Sequence, residues 1–223
     1  MKRPVTFLAL LVALLGSSFP ANAVVLPFSY GFEEYSAGAA PPLPWVNLLG
    51  GPGNVTGAIA HTGLKSVMAS GGPIAPQSSV VDLGTSYTDS LQYEGWVNTD
   101  GGSGIIGFHE QAWNQTSSFN AVAFKTNGDL YFTSADALTG FNVYLGGGLS
   151  LGWHHVKVQL DFQTLHGYVW LDGALVGNQL PISPRNVAYG GLLTYLRNVG
   201  IMHTADAPVY LESVYKLQRD VLQ

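Results

Sequence analysis

Three stretches of this chain alternate residue by residue, and that period restricts the fold more than any other feature. Leu91, Tyr93 and Val97 alternate with Gln92, Glu94 and Trp96. Val156, Val158 and Leu160 alternate with His155, Lys157 and Gln159, and Val169 and Leu171 with Tyr168 and Trp170. A period of two sends successive side chains to opposite faces of a sheet, so each stretch reads as a half-buried strand. The punctuation agrees. Asn127-Gly128 predicts a type I′ hairpin turn, and Asp172-Gly173 a second tight hairpin. Gly101-Gly102-Ser103-Gly104 is expected to separate two strands, and Gly146-Gly147-Gly148 to form a loop before a long strand starting at Trp153. Trp153 is expected to pack on the core. Ala58 to Met68 has some apolar spacing, but Gly57 and Gly63 favour extended structure over helix. The pattern implies about twelve to fourteen short strands in one all-β domain, a two-sheet antiparallel sandwich of the jelly-roll kind.

The N-terminus follows a different logic. Lys2 and Arg3 precede an unbroken apolar run from Phe7 to Leu15; Ser17, Ser18 and Pro20 break it, and Ala21-Asn22-Ala23 offers small residues for cleavage. This is the layout of a signal peptide, too short in its apolar part to span a bilayer. Residues 1–23 are therefore expected to be removed, leaving 24–223 as the domain, exported to a bacterial periplasm or the medium. No membrane insertion of the remainder is expected. The mature chain would carry seven Lys and Arg against fourteen Asp and Glu, a net charge of −7. That balance gives no footprint for nucleic acid. With no Cys, an exported domain depends on its core, and about 200 residues suffice for one. The oligomeric state is not legible.

Three motifs, in order, carry a resemblance. Phe32-Glu33-Glu34-Tyr35-Ser36-Ala37-Gly38 is followed by Trp45 and by His61-Thr62-Gly63-Leu64-Lys65-Ser66; then come Gly152-Trp153-His154-His155-Val156-Lys157-Val158 and Tyr168-Val169-Trp170-Leu171-Asp172-Gly173. The set resembles the concanavalin A-like lectin/glucanase superfamily, and within it the laminin-G-like jelly rolls of bacterial secreted proteins. The resemblance implies the sandwich and is nearly silent on activity. It also implies a possible structural calcium where the N-terminal strand meets the C-terminal one, held by Glu33 and Glu212. The family more often shows Asp-Asp where this chain has Glu212-Ser213. Calcium takes six to eight oxygens, so carbonyls and waters would have to complete such a shell.

Relatives that cut polysaccharides need paired carboxylates. The E-x-D-x-x-E strand signature is absent, as are the nucleophile elbow and the H-E-x-x-H zinc motif. Among the five Glu, Glu94 and Glu110 are the catalytic candidates; on successive strands they could face each other across a sheet. His154 and His155, adjacent on one strand, point to opposite faces and cannot easily chelate one ion. Sugar binding needs an aromatic platform with short polar partners. Trp96, His109, Trp113 and Asn114 have that composition, while Tyr168 and Trp170 share an outward phase near His155 and Lys157. The leading expectation is thus a non-catalytic, carbohydrate-binding, lectin-like domain with a glycan partner. The alternatives are a glycoside hydrolase or polysaccharide lyase using Glu94 and Glu110, and an adhesion module that binds another protein.

Overall fold

The computed structural model describes residues 28–46, 51–72, 75–76, 78–82, 90–110, 119–135, 140–182 and 196–219. The expected signal peptide, and Trp113 and Asn114, lie outside the described residues. Seventeen strands occur among those described. In chain order they begin with β1 (Phe28–Tyr30), β2 (Trp45–Val46), β3 (Asn54–Thr56), β4 (Ser66–Ala69), β5 (Gly71–Gly72) and β6 (Ala75–Pro76). Next come β7 (Ser78–Asp82), β8 (Leu91–Asn98), β9 (Gly102–Glu110), β10 (Phe119–Phe124), β11 (Leu130–Ala135) and β12 (Gly140–Gly146). The last are β13 (Trp153–Asp161), β14 (His166–Leu171), β15 (Ala174–Pro181), β16 (Leu196–Asp206) and β17 (Val209–Arg219). The count exceeds the expected twelve to fourteen because several elements are only two or three residues long, too short to alternate visibly.

Fifteen of these strands form two large antiparallel sheets, and β5 and β6 pair with each other. One has eight strands, in the order β15-β14-β13-β8-β17-β4-β3 with β1 added on β17; the other has seven, β12-β11-β10-β9-β16-β7-β2. No described residue is helical. The molecule is an all-β jelly-roll sandwich, as the period-two pattern predicts. Between the sheets lies one core. The eight-stranded sheet contributes Leu91, Tyr93, Val97, Val156, Val158, Leu160, Val169 and Leu211; the other sheet contributes Ile106, Phe108, Val122, Phe124 and Phe132, all within 2% of complete burial. Each such side chain stabilises the fold by about 1.5–3 kcal/mol relative to leaving it in water. In a chain without cysteine that burial is the main source of stability.

The turns refine the expectations. Asp172 and Gly173 both have positive φ, 50° and 83°, the signature of a type I′ turn joining β14 to β15. At Asn127-Gly128 the expected type I′ turn is not formed. Gly128 N donates to Lys125 O at 2.9 Å, and only Gly128 has positive φ, which makes a type I turn followed by a left-handed glycine. The side chain of Asn127 instead accepts from Asp129 N at 3.1 Å. The break after β8 also sits earlier than expected. Asp100 and Gly101 form the turn, with φ of 33° and 81°, and Gly102 to Gly104 already belong to β9. This turn carries the chain from one sheet to the other, and the β16–β17 connection does the same beside it. A Cβ on Gly102 would overlap the carbonyl oxygens of Ala207 and Pro208, so glycine allows the two crossings to pack together.

Candidate functional site

Directly opposed residues of an antiparallel pair share a sheet face, so the register builds the outer surface of the eight-stranded sheet row by row. In one row Glu212 on β17 opposes Trp96 on β8, which opposes His155 on β13. In the next Glu94 opposes Lys157, which opposes Trp170 on β14. In a third Gln92 opposes Gln159, which opposes Tyr168. Their neighbours in sequence, Tyr93, Val97, Val156, Val158 and Val169, point into the core.

Rings collect on this face. Trp96 lies 5.1 Å from His155, centroid to centroid, at 55°. His61, from the loop before β4, stacks on Trp96 at 3.7 Å and 20°, and meets Trp153 edge-on at 5.9 Å. Trp153 is therefore on the outer face, partly exposed, and not in the core as its position at the strand start suggested. It shares the phase of His155 and Lys157, and alternation decides its face. Lys157 Nζ sits 4.5 Å from the Trp170 ring centroid, a cation–π contact.

Beside these rings opens a cleft of about 500 Å³ lined by Glu94, Trp96, His155 and Asp172. That volume lies within the usual range for small-molecule sites, about 300–1,000 Å³. Asp172 is already committed: Oδ2 pairs with His154 Nδ1 at 2.8 Å and Oδ1 accepts from His155 N at 2.8 Å. His154 is buried, its other nitrogen 2.9 Å from Ser150 O, and His155 faces out, the opposite orientations that adjacent strand positions require. Glu94 is different. Its carboxylate has no hydrogen bond or ion pair among the described residues.

The loop that carries His61 and packs it against Trp96 is held by two carboxylates. Glu212, only 4% exposed, accepts from four donors. Oε1 takes Thr62 N at 2.6 Å, Thr62 Oγ1 at 2.7 Å and Gly63 N at 3.0 Å, while Oε2 takes His61 N. Burial pushes the pKa of this carboxyl up, but the Thr62 hydroxyl and the three backbone N–H groups outweigh it and hold the group below its ordinary value. Glu33 grips the loop one residue further on, Oε1 accepting from Leu64 N at 2.8 Å and Lys65 N at 3.0 Å. Lys65 Nζ closes the clasp on the carbonyls of Glu33 and Tyr35, both at 2.7 Å. A Cβ on Gly63 would overlap the Glu33 carboxylate, so any larger residue there would push this acid off the loop.

The structure therefore brings Glu33 and Glu212 to one loop, but the donor set does not fit a calcium ion. N–H groups aimed at both oxygens of Glu212 and at Oε1 of Glu33 occupy lone pairs that a cation would need. Among the described residues no group of three or more His, Asp or Glu could hold a metal ion.

The other sequence candidates separate. Glu94 and Glu110 do not face each other across a sheet, because β8 and β9 belong to different sheets and Glu94 is on the outside of its own. Two flanking carboxylates, as glycoside hydrolysis needs, are not assembled by this pair. His109 is on β9, opposite Phe119 of β10 and Asn198 of β16, in the seven-stranded sheet, away from the sheet of Trp96. Of the expected sugar-binding set, Trp96 lines the cleft. His61 was missed as a site residue, although His61-Thr62-Gly63 was visible as a motif; a glycine two residues after it was the signal of a close approach.

The fold has counterparts among solved structures. A protein of unknown function from Shewanella oneidensis MR-1 is similar with a TM-score of 0.56 and 13% identity, over 87% of this chain and 88% of its own. The carbohydrate recognition domain of Emp46p, in its potassium-bound form, is similar with a TM-score of 0.51 and 9% identity, over 80% of this chain and 90% of its own. A mutant Trypanosoma rangeli sialidase displaying trans-sialidase activity is similar with a TM-score of 0.50 and 13% identity, over 84% of this chain but 30% of the sialidase. At such identities the likeness is one of fold alone. No family model and no curated protein matches the chain.

Proposed function

We propose that the chain is an exported, non-catalytic glycan-binding domain whose ligand lies across the outer face of the eight-stranded sheet. The observation that carries this reading is the cleft of Glu94, Trp96, His155 and Asp172: aromatic walls beside an uncommitted carboxylate. Sugars present apolar ring faces rimmed by hydroxyls, and such a cleft offers a surface for each part. The sandwich of a carbohydrate recognition domain is similar, so the architecture supports such a site without specifying it. One uncommitted carboxylate is enough to bind a sugar and too few for two-carboxylate hydrolysis.

The test is a glycan array followed by calorimetric titration of wild type and Trp96→Ala. If Trp96 anchors the ligand, the variant loses about 2 kcal/mol, roughly thirtyfold in affinity. Because Trp96 also packs on His61 and His155, the variant is titrated below its own unfolding temperature, set by circular dichroism. Equal affinity of the two proteins would move the site elsewhere, and the absence of any glycan on the array would end the reading.

A further inference from the structure

The cleft contains an acceptor with nothing to accept. Asp172 is held by His154 and by the His155 backbone. Lys157 is opposite Glu94 in register, yet its ammonium lies over Trp170 and makes no ion pair with Glu94. His155 faces the Trp96 ring. Glu94 is thus a partly buried carboxylate, on a face crowded with rings, whose oxygens are free among the described residues. An ionised carboxylate only accepts hydrogen bonds, and its two oxygens match two neighbouring donors.

Resting on the glycan reading above, we infer that Glu94 sets the specificity of the cleft. It selects non-acidic pyranoses presenting two adjacent donors, either vicinal hydroxyls or a hydroxyl beside an ammonium, and turns away uronic-acid glycans. Adjacent donors on a sugar ring satisfy both oxygens at once, while the ring's apolar face meets the aromatic wall. A ligand carboxylate at the same place would put like charges together in a partly desolvated cleft, which is repulsive. The chain's formal net charge of −5 acts in the same direction at longer range.

The experiment uses three soluble 1,4-linked probes of matched length: a neutral β-1,4-glucan oligosaccharide with its 2- and 3-hydroxyls free, a chitosan oligosaccharide and an oligogalacturonate. Each is titrated at about pH 5.5, where the chitosan amines are ammonium and the galacturonates stay ionised, in 0.15 M salt, where the screening length is about 8 Å, against wild type, Glu94→Gln and Trp96→Ala. Wild type is expected to prefer the neutral and amino probes over oligogalacturonate by at least about tenfold. Glu94→Gln keeps the size but loses the charge and one acceptor; it should weaken the neutral and amino probes and narrow that preference several-fold. Equal or tighter binding of oligogalacturonate by wild type overturns the inference. So does a preference unmoved by Glu94→Gln; if Trp96→Ala still abolishes binding, the glycan reading survives that result. Failure of every probe to bind wild type overturns both.

Discussion

Replacing Glu212 with Gln tests whether the His61 loop is held as the structure shows. The carboxylate accepts four hydrogen bonds: one on Oε2 from His61 N, and three on Oε1 from Thr62 N, Thr62 Oγ1 and Gly63 N. In the variant the amide oxygen can take over the three bonds to Oε1, but as a neutral acceptor. Hydrogen bonds to a charged group contribute about 1.5–3 kcal/mol, neutral ones about 0.5–1.5. The amide nitrogen then faces His61 N–H, donor against donor, and leaves that group unpaired at about 1–3 kcal/mol. Three bonds weakened by about 1 kcal/mol each and one unpaired donor together cost about 4–6 kcal/mol, a large part of the stability of a domain this size. The melting temperature should fall by about 10 °C at pH 7, measured by circular dichroism. The pH dependence gives a second readout. The folded-state pKa of Glu212 is depressed, so its contribution is full above the unfolded value, about 4.3, and is lost as pH falls through the folded value. The gap between wild type and variant should therefore be widest above about pH 5 and narrow progressively as pH falls through the folded value. A fall of less than about 2 °C at pH 7, or a gap independent of pH, would refute the clasp.

Two further outcomes follow from buried polar groups. Tyr93 is fully buried against Phe108, its hydroxyl has no partner among the described residues, and burial alone pushes its pKa up. Tyr93→Phe should leave stability unchanged or raise it by about 1 kcal/mol in thermal unfolding, and a loss of that size would show a partner for the hydroxyl. Adding a chelator, or calcium after it, should leave the melting temperature where it was, because N–H donors fill the oxygens of Glu212; a drop of several degrees on chelation would restore calcium at Glu33 and Glu212.

Which face a residue occupies was legible in the sequence; which strands are neighbours was not. Alternation assigned Glu94, Trp96, His155, Lys157 and Trp170 to outward phases, and all five share the outer face. It gave no sign that β8 lies beside β13, because hydrogen-bond partners some sixty residues apart are chosen by the whole sheet. The same limit misled the pairing of Glu94 with Glu110. A tight turn at Asp100-Gly101 has the local chemistry of a hairpin, yet here it carries the chain across to the other sheet. Loops hid the rest. His61 reaches Trp96 only because Glu33 and Glu212, 28 residues before it and 151 after it, hold the intervening backbone. Neither acid shows this in its own neighbourhood. Glu212 in particular reads equally well as a cation ligand until its donors are seen.

The clasp and the cleft are one construction. Glu212 opposes Trp96 in the β8–β17 register, and its Oε2 accepts from the backbone of His61, whose ring stacks on Trp96. Three residues from two strands and a loop thus close a triangle: register fixes the first side, a charge-assisted hydrogen bond the second and ring contact the third. Such closure limits the freedom of each member and places an aromatic wall without a ligand to organise it, which lowers the entropy cost of binding. The same bonds that stabilise the loop therefore shape the site. Freeing the His61 loop through Glu212 should weaken the stacking on Trp96 and glycan affinity together, although Glu212 does not line the cleft. Glu94, with no partner to release, should affect affinity and selectivity with little effect on stability. A variant at Glu212 that melts early but binds as wild type would separate the two, and would show that the wall is carried by Trp96 and His155 without the loop.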